Sequence, residues 1–203
     1  MIKKLIPGML IVSFTASAVA ATVFDFTDPK GVNNVRFELD APLEAISGTG
    51  NGISGNITFD IENPAATTGR IILQTTSLMV PNNSMREHLL GANWLNAEAN
   101  PEIVFEALSL KVLSIAENRV EAHITGNLTL NGITREINVP ASFTYLPNRL
   151  ADRTGGRMQG DLLVVRSQFS IARSDYNIRK GQNLDTVAEN IELSLSIAGA
   201  APR

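Results

Sequence analysis

Apolar and polar residues alternate with a period of two along most of this chain, and the cleanest stretch is Gly126 to Phe143, GNLTLNGITREINVPASF. Leu128 and Leu130 precede Asn131-Gly132, and Ile137, Val139, Ala141 and Phe143 follow it. Both arms therefore carry their apolar side chains on one face. Asn-Gly supplies the two positive-φ residues of a type I′ turn, so the segment predicts a β-hairpin. The same period recurs at Val35, Phe37 and Leu39, at Ile57, Phe59 and Ile61, and from Arg70 to Leu78 through Ile71, Leu73 and Thr75. Further runs are Ile103, Phe105, Leu108, Leu110 and Val112, then Val120, Ala122 and Ile124, then Leu163 to Ile171 and Ile191 to Ile197. The pattern predicts an all-β domain of eight to ten antiparallel strands, near the number that closes into a barrel able to hold one small ligand.

One interval departs from this period. Across 83–95, Met85, Leu89, Leu90 and Trp94 fall near helical spacing, and Asn83 or Ser84 is placed to cap a first turn. A short helical insertion, interrupted near Gly91, is expected there. Ser47 to Gly55 (SGTGNGISG) reads as a glycine-rich turn, and Leu146 to Gly160, polar and glycine-bearing, as a mobile connection.

The first twenty residues carry Lys3 and Lys4, an apolar run from Leu5 to Phe14 and a small-x-small site at Ala18-Val19-Ala20. This is the layout of a cleaved secretory signal peptide, with a retained membrane anchor as the alternative. Its style points to the periplasm. No cysteine follows the site, which excludes a lipidated lipoprotein. Cleavage leaves residues 21–203 as one domain with 15 basic and 20 acidic residues, a formal charge of −5. That acidity, without a Lys/Arg run, disfavours nucleic acid and anionic membrane surfaces.

Candidate chemistry is sparse. The absence of cysteine removes thiol catalysis and zinc-thiolate sites. His88 and His123 are the two histidines, far apart in sequence, and give no recognisable metal spacing. His123 shares the polar face of its strand with Glu121 and Thr125, whereas His88, inside the insertion, either bonds a loop backbone or lines a pocket mouth. Gly50 to Gly55 spells G-x-G-x-x-G, but strands flank it where a dinucleotide turn needs a helix. Nothing anchors an enzyme, and no cofactor is required. Large apolar residues are what the chain offers, and alternation alone leaves two interiors open: a filled core or a ligand cavity.

Three segments together resemble the YceI-like family, bacterial lipocalin-like proteins associated with polyisoprenoid binding. Met85 to Leu90, running through Trp94-Leu95 to Asn100-Pro101-Glu102-Ile103-Val104-Phe105, is similar to the family's R-x-H-L, aromatic, N/Y-P-x-I-x-F pattern. Gly126 to Arg135 is similar to its G-x-L-T-x-x-G-x-T-R hairpin, and Phe169 to Ile178 to its R-S-D-F-G-I element, with Tyr176-Asn177 standing for Phe-Gly. The resemblance implies an eight-stranded antiparallel lipocalin-like barrel around an elongated apolar tunnel for an isoprenoid tail, such as that of a quinone or polyprenyl lipid. It implies a periplasmic, non-enzymatic carrier in transient contact with a membrane or membrane protein. The expected lining residues are Phe37, Phe59, Phe105, Leu128, Val139, Phe143, Phe169 and Leu195, with Leu89 and Trp94 closing one end. His88, Arg173 and Asp175 are the polar candidates at the mouth. Arg173 and Asp175 have two readings: a latch made with each other or with Arg135, or, for Arg173, a donor to a quinone carbonyl or lipid phosphate. The rival of another class is a solid-core structural or partner-binding module, for example an accessory to a membrane cytochrome.

Overall fold

The computed structural model describes residues 21–203, so the signal peptide expected over residues 1–20 lies outside the described residues. Eleven strand segments form one antiparallel sheet: β1 (Thr22–Asp25), β2 (Asn34–Asp40), β3 (Ala45–Gly50), β4 (Ile53–Phe59), β5 (Thr68–Gln74), β6 (Leu78–Met79), β7 (Glu102–Ala116), β8 (Arg119–Leu130), β9 (Ile133–Leu146), β10 (Gly160–Ala172) and β11 (Asn190–Pro202). Eight of them close a circuit in the order β1-β4-β5-β7-β8-β9-β10-β11, with β1 returning to β11 through Asp25 and Ala200. Closure removes the free edges that an open sheet would expose. The β2–β3 hairpin and β6 extend the wall at one rim, where β2 pairs with β11 and β3 with β6. We call that end the top.

The β8–β9 hairpin turns at Asn131 (φ 51) and Gly132 (φ 72), both left-handed as a type I′ turn demands. Inward positions on its arms are buried: Val120, Ala122, Ile124, Leu128 and Leu130 on β8, and Val139, Ala141 and Phe143 on β9. Leu108 does not follow the expected alternation. Register shifts between Ala107 and Ser109, and between Val112 and Ser114, insert extra residues into β7 and turn Leu108 outward, where it is exposed.

The 70–78 run is also divided. β5 ends at Gln74, where Thr75 turns out of the sheet: its N–H and hydroxyl donate to the carbonyls of Pro101 and Asn100, at 2.8 and 2.7 Å. Helix α1 (Asn83–Leu90) occupies the expected insertion, but its cap is Asn82, whose side-chain oxygen accepts the Met85 N–H at 2.9 Å. The 146–160 connection is not free: it folds into helix α2 (Leu150–Thr154) and buries Leu150 against the bottom of the barrel. Arg153 of α2 pairs with Asp28 at 3.0 Å, and Asp161 accepts from Tyr145, the Asn148 N–H and Arg203.

Candidate functional site

Aromatic rings fill the bottom of the barrel. Phe59 and Phe143 stack with centroids 5.5 Å apart, Phe24 meets Tyr145 edge to face, and Phe24, Phe26 and Leu163 are wholly buried. The top is different. There the inward positions are mostly aliphatic, and they surround a cavity of about 340 Å³, at the lower end of the usual range for small-molecule sites. Inward positions of several strands form its wall: Val35, Phe37 and Leu39 on β2, and pairs at Ile71 and Leu73 on β5, Leu128 and Leu130 on β8, Phe169 and Ile171 on β10, and Ile191 and Leu193 on β11. A second void of about 70 Å³ lies beneath it, lined by Phe105, Val139, Phe143, Phe169 and Leu195 among others.

The expected lining residues therefore separate into levels. Phe37, Leu89, Trp94, Leu128 and Phe169 face the upper cavity, while Phe105, Val139, Phe143 and Leu195 face only the lower void. Phe59 borders neither and belongs to the packed floor. The interior is thus neither solid nor uniformly hollow. Ile178 and Val187, which also line the upper cavity, come from the irregular 177–189 loop, where no periodicity marks them. Glu44 of the β2–β3 turn is a further lining residue that no sequence pattern singled out.

Among the described residues, polar side chains reach the upper cavity at Glu44, His88 and Arg173 alone. Glu44 and His88 are exposed and so mark the mouth, framed by the β2–β3 turn, α1 and the 177–189 loop. Arg173 is fully buried. Its Nε donates to the Ala188 carbonyl (3.0 Å), Nη1 to Ile178 and Arg179 (2.9 and 2.6 Å), and Nη2 to Gln182 and Val187. A guanidinium has five N–H donors, and each is committed to a carbonyl of the loop. Glu189 stands 3.9 Å away as its carboxylate neighbour. Arg173 is accordingly the post around which the loop is wrapped, with no donor left for a ligand.

Asp175 is exposed and does not pair with Arg173; instead its backbone carbonyl accepts from Arg135 Nε at 3.1 Å. The latch is made by main chain. A second latch runs through amides: Asn100 donates to Asn131, and Asn131 donates to the Tyr176 carbonyl at 3.0 Å. The three motif segments thus meet at the top of the barrel and hold the insertion, the hairpin turn and the β10 exit together. Asn177 takes φ 53, so it supplies the left-handed residue that the resembling motif gives to glycine. Tyr176 is buried with its hydroxyl unpartnered; burial, aided by the Asp175 charge and opposed by Arg135, pushes its pKa up to about 12. The Arg179 guanidinium lies 5.8 Å above the Trp94 ring, tying the loop to the insertion.

A closed antiparallel barrel enclosing an apolar cavity, with polar groups confined to its mouth, is the architecture of lipocalin-like binding proteins. The YceI-like domain family matches residues 18–198, and the chain belongs to that family. It is 29% identical over 200 residues to Protein YceI of Escherichia coli O6:H1, covering 97% of each chain. Its fold is similar to that of Burkholderia cenocepacia BcnA (TM-score 0.66, 18% identity, 82% of this chain and 95% of that one). It is also similar to a polyisoprenoid binding domain from Saccharophagus degradans implicated in plant cell wall breakdown (TM-score 0.63, 11% identity, 90% and 99%).

Proposed function

We propose that the protein is an exported, non-enzymatic carrier that holds the isoprenoid tail of a quinone or polyprenyl lipid in the upper half of its barrel and exchanges it with a membrane surface. The observation that carries this reading is the upper cavity, whose wall is hydrocarbon apart from three groups at one end. Each buried CH₂ gains about 0.8 kcal/mol on leaving water, so a five-carbon prenyl unit gains roughly 4 kcal/mol before ordering costs. Because Arg173 has no free donor, the tail supplies the affinity and the headgroup rests at the mouth beside Glu44 and His88. The name of the Saccharophagus domain supports the same ligand class.

Exchange with a membrane is supported by the rim. Leu43 (74% exposed) adjoins Glu44, and its N–H donates to the Asp185 carbonyl at 2.8 Å, next to the exposed Leu184. Two apolar side chains thus project beside the opening, where a tail would leave a bilayer. The periplasmic address is supported by the leader-like residues 1–20. The test is lipid extraction from protein purified out of its native compartment, followed by mass spectrometry. A prenyl-tailed lipid near one per protein is expected; protein that is always empty and also refuses added quinones and polyprenols sinks the proposal.

A further inference from the structure

Ile71 and Phe169 line both the upper cavity and the lower void, so their side chains are the partition between the two. Immediately above the partition lies Leu193, the register partner of Phe169, and below it Leu195. Phe105, the partner of both Ile71 and Leu128, is drawn flat along the wall by Gly126: a Cβ at 126 would stand 2.5 Å from Phe105 Cζ. The wall at this level is therefore cleared by a glycine, while the centre is obstructed by side chains. Phe105 and Phe169 face inward yet are only half-buried, because part of each ring borders empty space. A ring with space on both sides can be shortened without unpacking a filled core.

Resting on the carrier reading above, we propose that Phe169 and Ile71 form a waist that sets the length of the tail this barrel accepts. Val35, Phe37 and Leu39 span the upper cavity on β2, four residue steps, or about 13 Å at the rise of a strand. A tail lying along that tilted wall has room for about two to three prenyl units, the geranyl to farnesyl class, with its end against the waist. Longer tails must either displace the Phe169 ring or leave their surplus units in water. Beneath the lower void, the Phe59–Phe143 stack is a second stop, so opening the waist lengthens the site by a limited amount.

Trp94 is the sole tryptophan and lines the upper cavity, so its fluorescence reports occupancy. Titrations of the purified exported protein with geraniol, farnesol and geranylgeraniol are compared for wild type, Phe169→Ala and Phe169→Leu, the last keeping an apolar side chain in place. For wild type, affinity rises from geraniol to farnesol and gains nothing further with geranylgeraniol. In Phe169→Ala, geranylgeraniol binding tightens by about tenfold or more, as expected if part of one extra prenyl unit enters the lower void, while farnesol binding changes less. Phe169→Leu falls between. Wild-type affinity that keeps climbing through geranylgeraniol, with both variants giving the same length profile, overturns the waist and leaves the carrier standing. An absence of any response to all three alcohols, by fluorescence and by equilibrium dialysis, overturns both.

Discussion

Replacing Arg173 by methionine keeps an unbranched apolar stem in the buried site and deletes the fork that holds the 177–189 loop. Five carbonyls then lose a charged donor at once. Hydrogen bonds to a charged group contribute roughly 1.5–3 kcal/mol each, but they are not additive, and carbonyls of this rim loop can regain water. Breaking a buried charged network by removing one partner typically costs about 3–5 kcal/mol, and that is the expected loss of unfolding free energy in urea. For a domain of this size it corresponds to about 6–20 °C in Tm. Arg173→Lys places a point charge with three donors where a planar fork was, and loses an intermediate amount. Amide hydrogen exchange locates the damage: amides of 177–189 lose protection first, while those of β8 and β9 keep theirs. Because Ile178 and Val187 belong to the cavity wall, farnesol should also dissociate faster from Arg173→Met. A loss below about 1 kcal/mol with unchanged exchange in the loop would show that the carbonyls never depended on the guanidinium.

Three further outcomes are expected. Tyr176→Phe removes a buried hydroxyl that has no partner, so it stabilises the fold by about 1 kcal/mol in urea; destabilisation by a similar amount refutes the unpartnered assignment. Burial alone would raise the Asp161 pKa, but the Asn148 N–H, the Tyr145 hydroxyl and Arg203 outweigh it and hold the carboxyl below its ordinary value. Its contribution is therefore present above the unfolded pKa of roughly 3.9 and lost as pH falls through the folded value, so Asp161→Asn should destabilise at pH 7 and converge on wild type in acid. A gap that persists unchanged at pH 2 refutes it. Leu43→Asp with Leu184→Asp should slow uptake of a prenyl quinone from vesicles several-fold while leaving farnesol affinity in detergent-free solution unchanged; equal rates would dissociate the rim from transfer.

The strands were legible because their inward residues recur every second position, and the hairpin because Asn131-Gly132 permits one turn geometry. What escaped was set by contacts distant in sequence. Leu108 turns outward through two bulges in β7 that its apolar character does not announce. The 146–160 connection reads as polar slack, yet it is pinned by Asp28, over a hundred residues away, through Arg153. Arg173 and Asp175 read as a latch made with each other or with Arg135; the structure gives Arg173 to loop carbonyls and joins Arg135 to the main chain of Asp175. Asn82 took the cap because its side chain, one residue ahead of the expected cap, meets the Met85 N–H.

The division of the barrel into a packed floor and an open top explains why alternation could not choose between core and cavity. Both halves present inward apolar residues at the same period, and they differ only in what faces what across the interior. At the bottom, Phe59 meets Phe143 ring to ring, so two large side chains exhaust the width of the barrel. At the level of Phe105 and Gly126, the large residue lies beside the small one along the wall instead of opposite it. Higher still, Leu73, Leu130, Ile171 and Ile191 are too short to meet across the same width. Side-chain reach at constant barrel width therefore decides where the void opens, and the Phe169 ring with Ile71 decides where it narrows. Swapping reach between levels should move the void: Leu193→Phe shallows the upper cavity and weakens farnesol binding, whereas a change confined to the floor, such as Phe143→Leu, costs stability, roughly 1–3 kcal/mol, and leaves farnesol binding as it was. Equal losses of binding from both substitutions would mean that the two halves are one site.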